Sequence, residues 1–308
     1  MKLQNIFALI VTLIGFAACT SESELPDTLV NGDLVPVTIS LGSMQTKASV
    51  GLDTDEGTIQ NAVIAIFDNK GIPTIAPIVL NASNSGTTRL PLVESNAYAF
   101  VNVSNEDIAA LETISDETEF RNYTIKKALT QDASALPKYG EKMNFTPTAN
   151  GNIAITVKQL TARVEAMVDI KVIQDENEIT EHGLSFSKSN LSWTNMKFKS
   201  GNTQTDGIDG LFTTIINGMT YTNVFNRAYT YPGTNPIINL TGSISGTMNG
   251  FTEKQVSLSY TFPNSLIADN VHLVKFIVKV DVTQPANPTF TYEVIPMEKV
   301  AINVPSFD

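Results

Sequence analysis

The chain has 308 residues, with 20 basic against 31 acidic side chains, a net charge of −11 and a single cysteine. That balance argues against nucleic acid and against adsorption to anionic lipid. A lone thiol rules out a disulfide framework, so stability has to come from hydrophobic cores, and the length allows two domains of ordinary size.

At the start, Lys2 precedes the charge-free run "IFALIVTLIGFAA", which ends at Cys19. A run this short, closing on small residues, reads as a secretory leader over residues 1–18; a membrane-spanning helix needs about 20 apolar residues. "FAAC" resembles a bacterial lipobox, in which the cysteine thiol is diacylated and becomes the lipidated N-terminus once the leader is removed. Phe16 stands where an aliphatic residue is usual. The expected role of Cys19 is therefore lipidation. "TSESELPD" follows, acidic and without an apolar face, and residues 19–33 read as a flexible tether.

Strand patterns dominate the rest. "VPVTISL" places Val35, Val37, Ile39 and Leu41 on one face, the period of a half-buried strand. "AVIAIFD" is apolar on both faces, as a central strand is, with a turn at "NKG" after it, and "YAFVNV" is another strand. One helix announces itself: Ser104 and Asp107 form a capping box ahead of Ile108, Leu111 and Ile114. Near residue 158 the apolar parity switches. It is odd in Ile153, Ile155 and Val157, then even in Leu160, Ala162, Val164, Ala166, Val168, Ile170 and Val172. Within one β-like run such a switch means a bulge, a bend or a change of sheet, and it is read as the passage from a first domain, 34–158, to a second, 159–308. In the second, "IINLTGSISGTM" and "FTEKQVSLSYTF" flank Asn249–Gly250, a strong hairpin signal. "HLVKFIVKVDV" alternates Val274, Phe276, Val278 and Val280 against Lys275, Lys279 and Asp281. The expected class is all-β, with few short helices and two tandem β-sandwich domains.

Chemistry-bearing motifs are weak. "GSISG" has Ile244 where a nucleophile elbow needs serine, so it reads as a strand. "DTDEG" (Asp53, Asp55, Glu56) has Ile64 where a calcium loop needs its bidentate glutamate, and reads as a solvated acidic turn. "TDGIDG", around Asp206 and Asp209, reads as a Gly-rich turn. His182 and His272 lack metal-ligand spacing; His272 falls on the apolar parity at a strand start, His182 reads as surface, and Trp193 reads as core. No catalytic residue, metal ligand or cofactor is expected, and the chain reads as a non-enzyme.

The ordered set of lipobox, short tether, first strand, polar loop "GSMQTKASVGLDTDEG", "IQNAVIAIFDNKG", "YAFVNVS", "LTARVEAMVDI" and "YTYPG" resembles the fimbrillin family, the subunits of type V pili, over essentially the whole mature chain. The resemblance implies two Greek-key, transthyretin-like β-sandwich domains and a cell-surface fimbrium serving adhesion. It implies export to the outer membrane as a lipoprotein held by an acyl chain such as palmitate, and cleavage by an extracellular trypsin-like protease in the loop after the first strand. The partners are then further copies or related fimbrial subunits, whose strand replaces the lost one. The only basic residue between Val35 and Ile59 is Lys47, followed by Ala48, where the family usually has arginine. Val35, Val37, Ile39 and Leu41 would be displaced. The tail residues Val300, Ile302 and Val304, with Pro305 closing the run, repeat the same period and are the candidate donor strand. The alternative is a monomeric surface lipoprotein that binds or hydrolyses glycans, and it needs an aromatic platform or a carboxylate pair in a cleft.

Overall fold

The computed structural model describes residues 33–43, 54–199, 202–204, 208–209, 225–248, 250–263, 266–283 and 289–299. These residues are mostly strand, with two short helices, so the class is all-β.

Seven strands form the first sheet: β1 (Leu34–Ser43), β2 (Asn61–Asp68), β3 (Ile78–Asn81), β4 (Ser85–Pro91), β5 (Ser95–Val101), β6 (Lys138–Phe145) and β7 (Gly151–Gln159). Their spatial order is β3-β2-β5-β6-β7-β1-β4. Strand β2 is apolar on both faces because both are covered. Ala62, Ile64 and Ile66 join Val37, Ile39, Leu41, Ile153, Ile155 and Val157 in one core. Val63, Ala65 and Phe67 join Tyr98 and Phe100 in another, closed by Leu111, Ile114, Phe120 and Ile125. That cover is built by α1 (Asn105–Leu111) and α2 (Glu117–Arg121). The capping box at the start of α1 is present as read: Asp107 N donates to Ser104 Oγ, and Ser104 N to Asp107 Oδ2, both at 3.1 Å. Helix α2 was not foreseen; Asp116 caps it by accepting from Glu119 N at 2.8 Å. The "NKG" turn is closed by Asp68, whose Oδ1 accepts from Lys70 N and Ile72 N, with Gly71 at φ +78°.

The later strands are β8 (Ala162–Gln174), β9 (Asn177–Ile179), β10 (Leu184–Thr194), β11 (Met196–Lys199), β12 (Asn202–Gln204), β13 (Ile208–Asp209), β14 (Phe225–Thr230), β15 (Ile237–Gly246), β16 (Lys254–Thr261), β17 (Val271–Asp281) and β18 (Thr289–Lys299). One sheet runs β14-β8-β17-β18, with β9 on β8; another runs β13-β10-β15-β16; β11 and β12 pair separately. A single core gathers Val164, Val168, Val274 and Phe276 from the first of these with Leu184, Trp193, Ile238 and Leu240 from the second.

The parity switch falls where the chain changes sheet. β7 ends at Gln159, and only Leu160 and Thr161 intervene before β8. The odd positions of β7 therefore serve one core and the even positions of β8 another. The segment around Ile244 is strand β15, and Trp193 is buried. His272 is buried at the start of β17, where its Nε2 accepts from Ile267 N at 3.1 Å. His182 is half-buried rather than free on the surface, because its Nδ1 accepts from Leu184 N.

Two local readings need correction. β15 and β16 do pair as a hairpin, but the ladder runs from Ile237↔Thr261 to Ile244↔Lys254, so the connection is far longer than a two-residue Asn-Gly turn. Met248 and Phe251 anchor this longer loop on the core, and Phe251 N donates to Met248 O. "TDGIDG" is more than a turn: Ile208 and Asp209 pair with Trp193 and Ser192. Asn249 and Asp206 lie outside the described residues.

Candidate assembly site

Strand β1 lies between two partners of opposite sense. It runs parallel to β7, from Val37↔Gly151 to Ser43↔Val157, and antiparallel to β4, from Leu34↔Pro91 to Ser40↔Ser85. β4 is the last strand in the order, so β1 separates it from the rest of the sheet. Val35, Val37, Ile39 and Leu41 share one face of β1, as their alternation predicts. Val37, Ile39 and Leu41 are buried and Val35 is half-buried against the same core. Polar clamps sit along the strand: Leu41 N donates to Asn84 O (2.7 Å), Asn150 N to Pro36 O (2.7 Å), Ser40 Oγ to Asn152 Oδ1 (3.0 Å) and an Arg89 guanidinium N–H to Leu34 O (3.0 Å). At the C-terminal end of the strand, Leu41 and Gly42 border a depression of about 540 Å³ with Ile59, Ala82 and Asn84.

A slot defined by two ladders and three buried apolar side chains is selective for period-2 apolar sequence, because a one-residue slip would turn every anchor to the wrong face. Truncating the central anchor, Ile39→Ala, is expected to lower stability by about 2–5 kcal/mol, since the cavity is enclosed. Thr38→Ala, on the half-buried opposite face, should stay within about 0.5 kcal/mol. Urea midpoints of the two variants check the contrast. Cys19, Lys47, Ala48, Val300, Ile302 and Val304 lie outside the described residues.

The loop that follows β1 ends in a feature the sequence reading missed. Glu56 is not a solvated acidic residue; it is 5% exposed, whereas Asp55 beside it is exposed. Its Oε1 accepts from Arg163 Nη1 and from Tyr229 Oη, both at 2.7 Å, and Glu165 Oε1 lies 2.9 Å from Arg163 Nε. Arg163 on β8 and Tyr229 on β14 are direct register partners, so both groups that Glu56 accepts from are fixed by backbone pairing within one sheet. Burial opposes the charge on Arg163, but Glu165 and Glu56 outweigh it and hold the guanidinium above its ordinary pKa. Burial, then the Glu56 carboxylate, push the Tyr229 hydroxyl well up. Next to this cluster Lys138 is fully buried, its Nζ donating to Thr58 O and Leu136 O, and burial lowers it to about 8. The clue was present in "LTARVEAMVDI": Arg163 and Glu165 share the face opposite the apolar even positions, and a buried pair of charges requires partners.

Among the described residues no group of three or more His, Cys, Asp or Glu side chains is placed to hold a metal ion, and no helix is long and apolar enough to cross a membrane.

The arrangement defines an all-β protein whose first strand fills a slot in its own sheet. No family model and no curated protein matches the sequence. Among solved structures, the chain is similar to a protein from Bacteroides eggerthii provisionally assigned to cell adhesion, with a TM-score of 0.54 and 14% identity, over 87% of this chain and 97% of that one. At that identity the likeness establishes the fold. Looser likenesses are to the tip fimbrial protein Mfa3 of Porphyromonas gingivalis, solved with a C-terminal truncation (TM-score 0.45, 10% identity, 85% of this chain and 99% of that one). A fimbrial assembly protein from Parabacteroides distasonis also falls in this group (TM-score 0.43, 17% identity, 86% and 98%).

Proposed function

We propose that this chain is a structural, non-enzymatic subunit of a cell-surface fimbria that serves adhesion, exported as an outer-membrane lipoprotein through Cys19 and polymerised by strand exchange. The observation that carries this reading is the position of β1. It is a strand held by a ladder on each side, followed directly by a segment whose one basic residue is Lys47. A trypsin-like cut between Lys47 and Ala48 severs β1 from the rest of the chain. Its loss bares two ladder edges and the contacts of Val37, Ile39 and Leu41, a state that strongly favours an incoming strand. Val300, Ile302 and Val304 of a neighbouring subunit offer the same period. We read the two groups of sheets as two tandem β-sandwich domains, residues 34–158 and 159–308, of Greek-key, transthyretin-like type. In support, among the described residues no strand is shared between them, and the sheet core of the first stands apart from that of the second, which only Leu129, Ala133 and Leu136 of the first join. The shared fold with the cell-adhesion protein from Bacteroides eggerthii supports the same reading.

The test is to characterise the N-terminus of surface material and to run it unboiled on an SDS gel. The expected result is a ladder of SDS-resistant oligomers whose subunits begin at Ala48, with fatty-acid labelling of the precursor that Cys19→Ala abolishes. Oligomers whose subunits begin at Cys19 would sink the cleavage step and leave a lipid-held anchor. Only monomer would sink polymerisation.

A further inference from the structure

Away from the β1 slot, an open pocket of about 300 Å³ lies where the helix-covered face of the first sheet meets the turn after β14. Aromatic side chains line it together with two cations, Arg121 and Lys197, while the carboxylates Asp107 and Glu141 stand behind its tyrosines. Phe100, Tyr123 and Tyr139 form a corner: the Phe100 ring lies 5.9 Å from Tyr123 at 80° and 5.0 Å from Tyr139 at 55°. The hydroxyls of those two tyrosines are engaged, Tyr123 donating to Asp107 Oδ1 at 2.9 Å and Tyr139 to Glu141 Oε2 at 3.1 Å. Their hydroxyls are therefore already committed, and their rings are the part that lines the pocket. Tyr231 is different. It lines the same pocket, is only 5% exposed, and its buried hydroxyl has no hydrogen-bond partner among the described residues. A buried hydroxyl left unpaired costs about 1–3 kcal/mol, which calls for a ligand to satisfy it.

The charges narrow the ligand. In a chain of net charge −11, Arg121 and Lys197 both border this pocket. Arg121 lies between Tyr139 and Glu141, its Nε 3.8 Å from Glu141 Oε2, and Lys197 Nζ makes a long 3.4 Å hydrogen bond to the Pro232 carbonyl. An anion carrying both an apolar face and hydroxyl groups meets all three features. A pyranose ring stacks its C–H face on aromatic rings, its hydroxyls both donate and accept, and a ring carboxylate pairs with the cations. A pocket of this volume lies at the small end of ligand sites and admits one such ring. We propose that it binds a single carboxylate-bearing pyranose, the terminal acidic sugar of a surface glycan. The proposal is independent of the β1 slot, since no residue of β1 lines this pocket.

The test uses the full mature chain, with saturation-transfer NMR and calorimetric titration of glucuronic acid and N-acetylneuraminic acid against glucose, galactose and acetate. An acidic sugar should bind about tenfold more tightly than the neutral sugars and than acetate. Lys197→Ala should lose about that factor. Tyr231→Phe should weaken binding about fivefold while leaving the melting temperature unchanged or higher, because the variant deletes an unsatisfied hydroxyl without opening a cavity. That opposition of binding and stability is one a merely structural tyrosine does not produce. Absence of binding by both acidic sugars would overturn the proposal. So would acetate binding as tightly as they do, or unchanged affinity in Tyr231→Phe.

Discussion

Replacing Arg163 by methionine is expected to lower the stability of the folded chain by about 3–5 kcal/mol, the range for breaking a buried ion pair by removing one partner. The side chain is only 2% exposed and lies against two carboxylates, Glu56 and Glu165, which are equally enclosed. Methionine fills similar space but takes the guanidinium from between two buried carboxylates, leaving Glu56 with the Tyr229 hydroxyl and Glu165 with Arg227 opposite it in the ladder. The companion experiment separates charge from shape. The triple variant Arg163→Met, Glu56→Gln, Glu165→Gln should recover most of the loss, because its groups no longer carry net charge. Urea unfolding monitored by tryptophan fluorescence is suitable, since Trp193, the one tryptophan, sits in the core of the later strands. A loss below about 1 kcal/mol for Arg163→Met would mean that water reaches the cluster and that the pair holds little.

The second large effect concerns assembly. Removing residues 300–308 is expected to give a folded, secreted monomer that does not polymerise, and Ile302→Asp should do the same by placing a charge in an apolar slot. The truncation point follows from the register: Lys299 still pairs with Val271, so a chain ending there keeps the whole of β18. Three apolar side chains seated in the groove would contribute about 1.5–3 kcal/mol each before the cost of ordering the tail. Their loss is enough to abolish a filament whose joints depend on them. Size-exclusion chromatography and circular dichroism distinguish the outcomes. Filaments of normal length from the truncated chain would exclude the tail as donor, and an unfolded product would show that residues 300–308 belong to the subunit's own core.

Local order was legible wherever the physics is local. The alternation in "VPVTISL", the doubly apolar "AVIAIFD" and the capping box of Ser104 and Asp107 each depend on neighbours within a turn or a pleat, and each forms as read. Even the change of sheet was visible, because period 2 makes parity a record of which face is buried. What the sequence concealed was non-local. Nothing near β1 tells that its partners are β4 and β7, or that the β7 pairing is parallel. Glu56 looked solvated for the same reason: its cation lies 107 positions further along. The hairpin after β15 was misjudged in the other direction, since a strong two-residue turn signal was outweighed by Met248 and Phe251 seeking the core. Pro296 shows the local and global views agreeing: a residue that cannot donate to a ladder sits on β18, the outermost strand of its sheet, opposite Val274.

The two-residue passage from β7 to β8 has a mechanical consequence. Leu160 and Thr161 leave no slack, and each is tied to its surroundings, Leu160 N to Pro137 O and Thr161 O to Asp269 N. Any pull transmitted along the chain here passes straight from one strand into the next. β8 then lies alongside β17 in one unbroken parallel register, from Val271↔Arg163 to Asp281↔Ile173. Because Arg163, Val271 and Lys299 stand side by side in register, the chain enters β8 and leaves β18 at the same end of this sheet. The bend that began as a change of apolar parity is thus also a taut joint, with the chain's entry to and exit from the second sheet side by side.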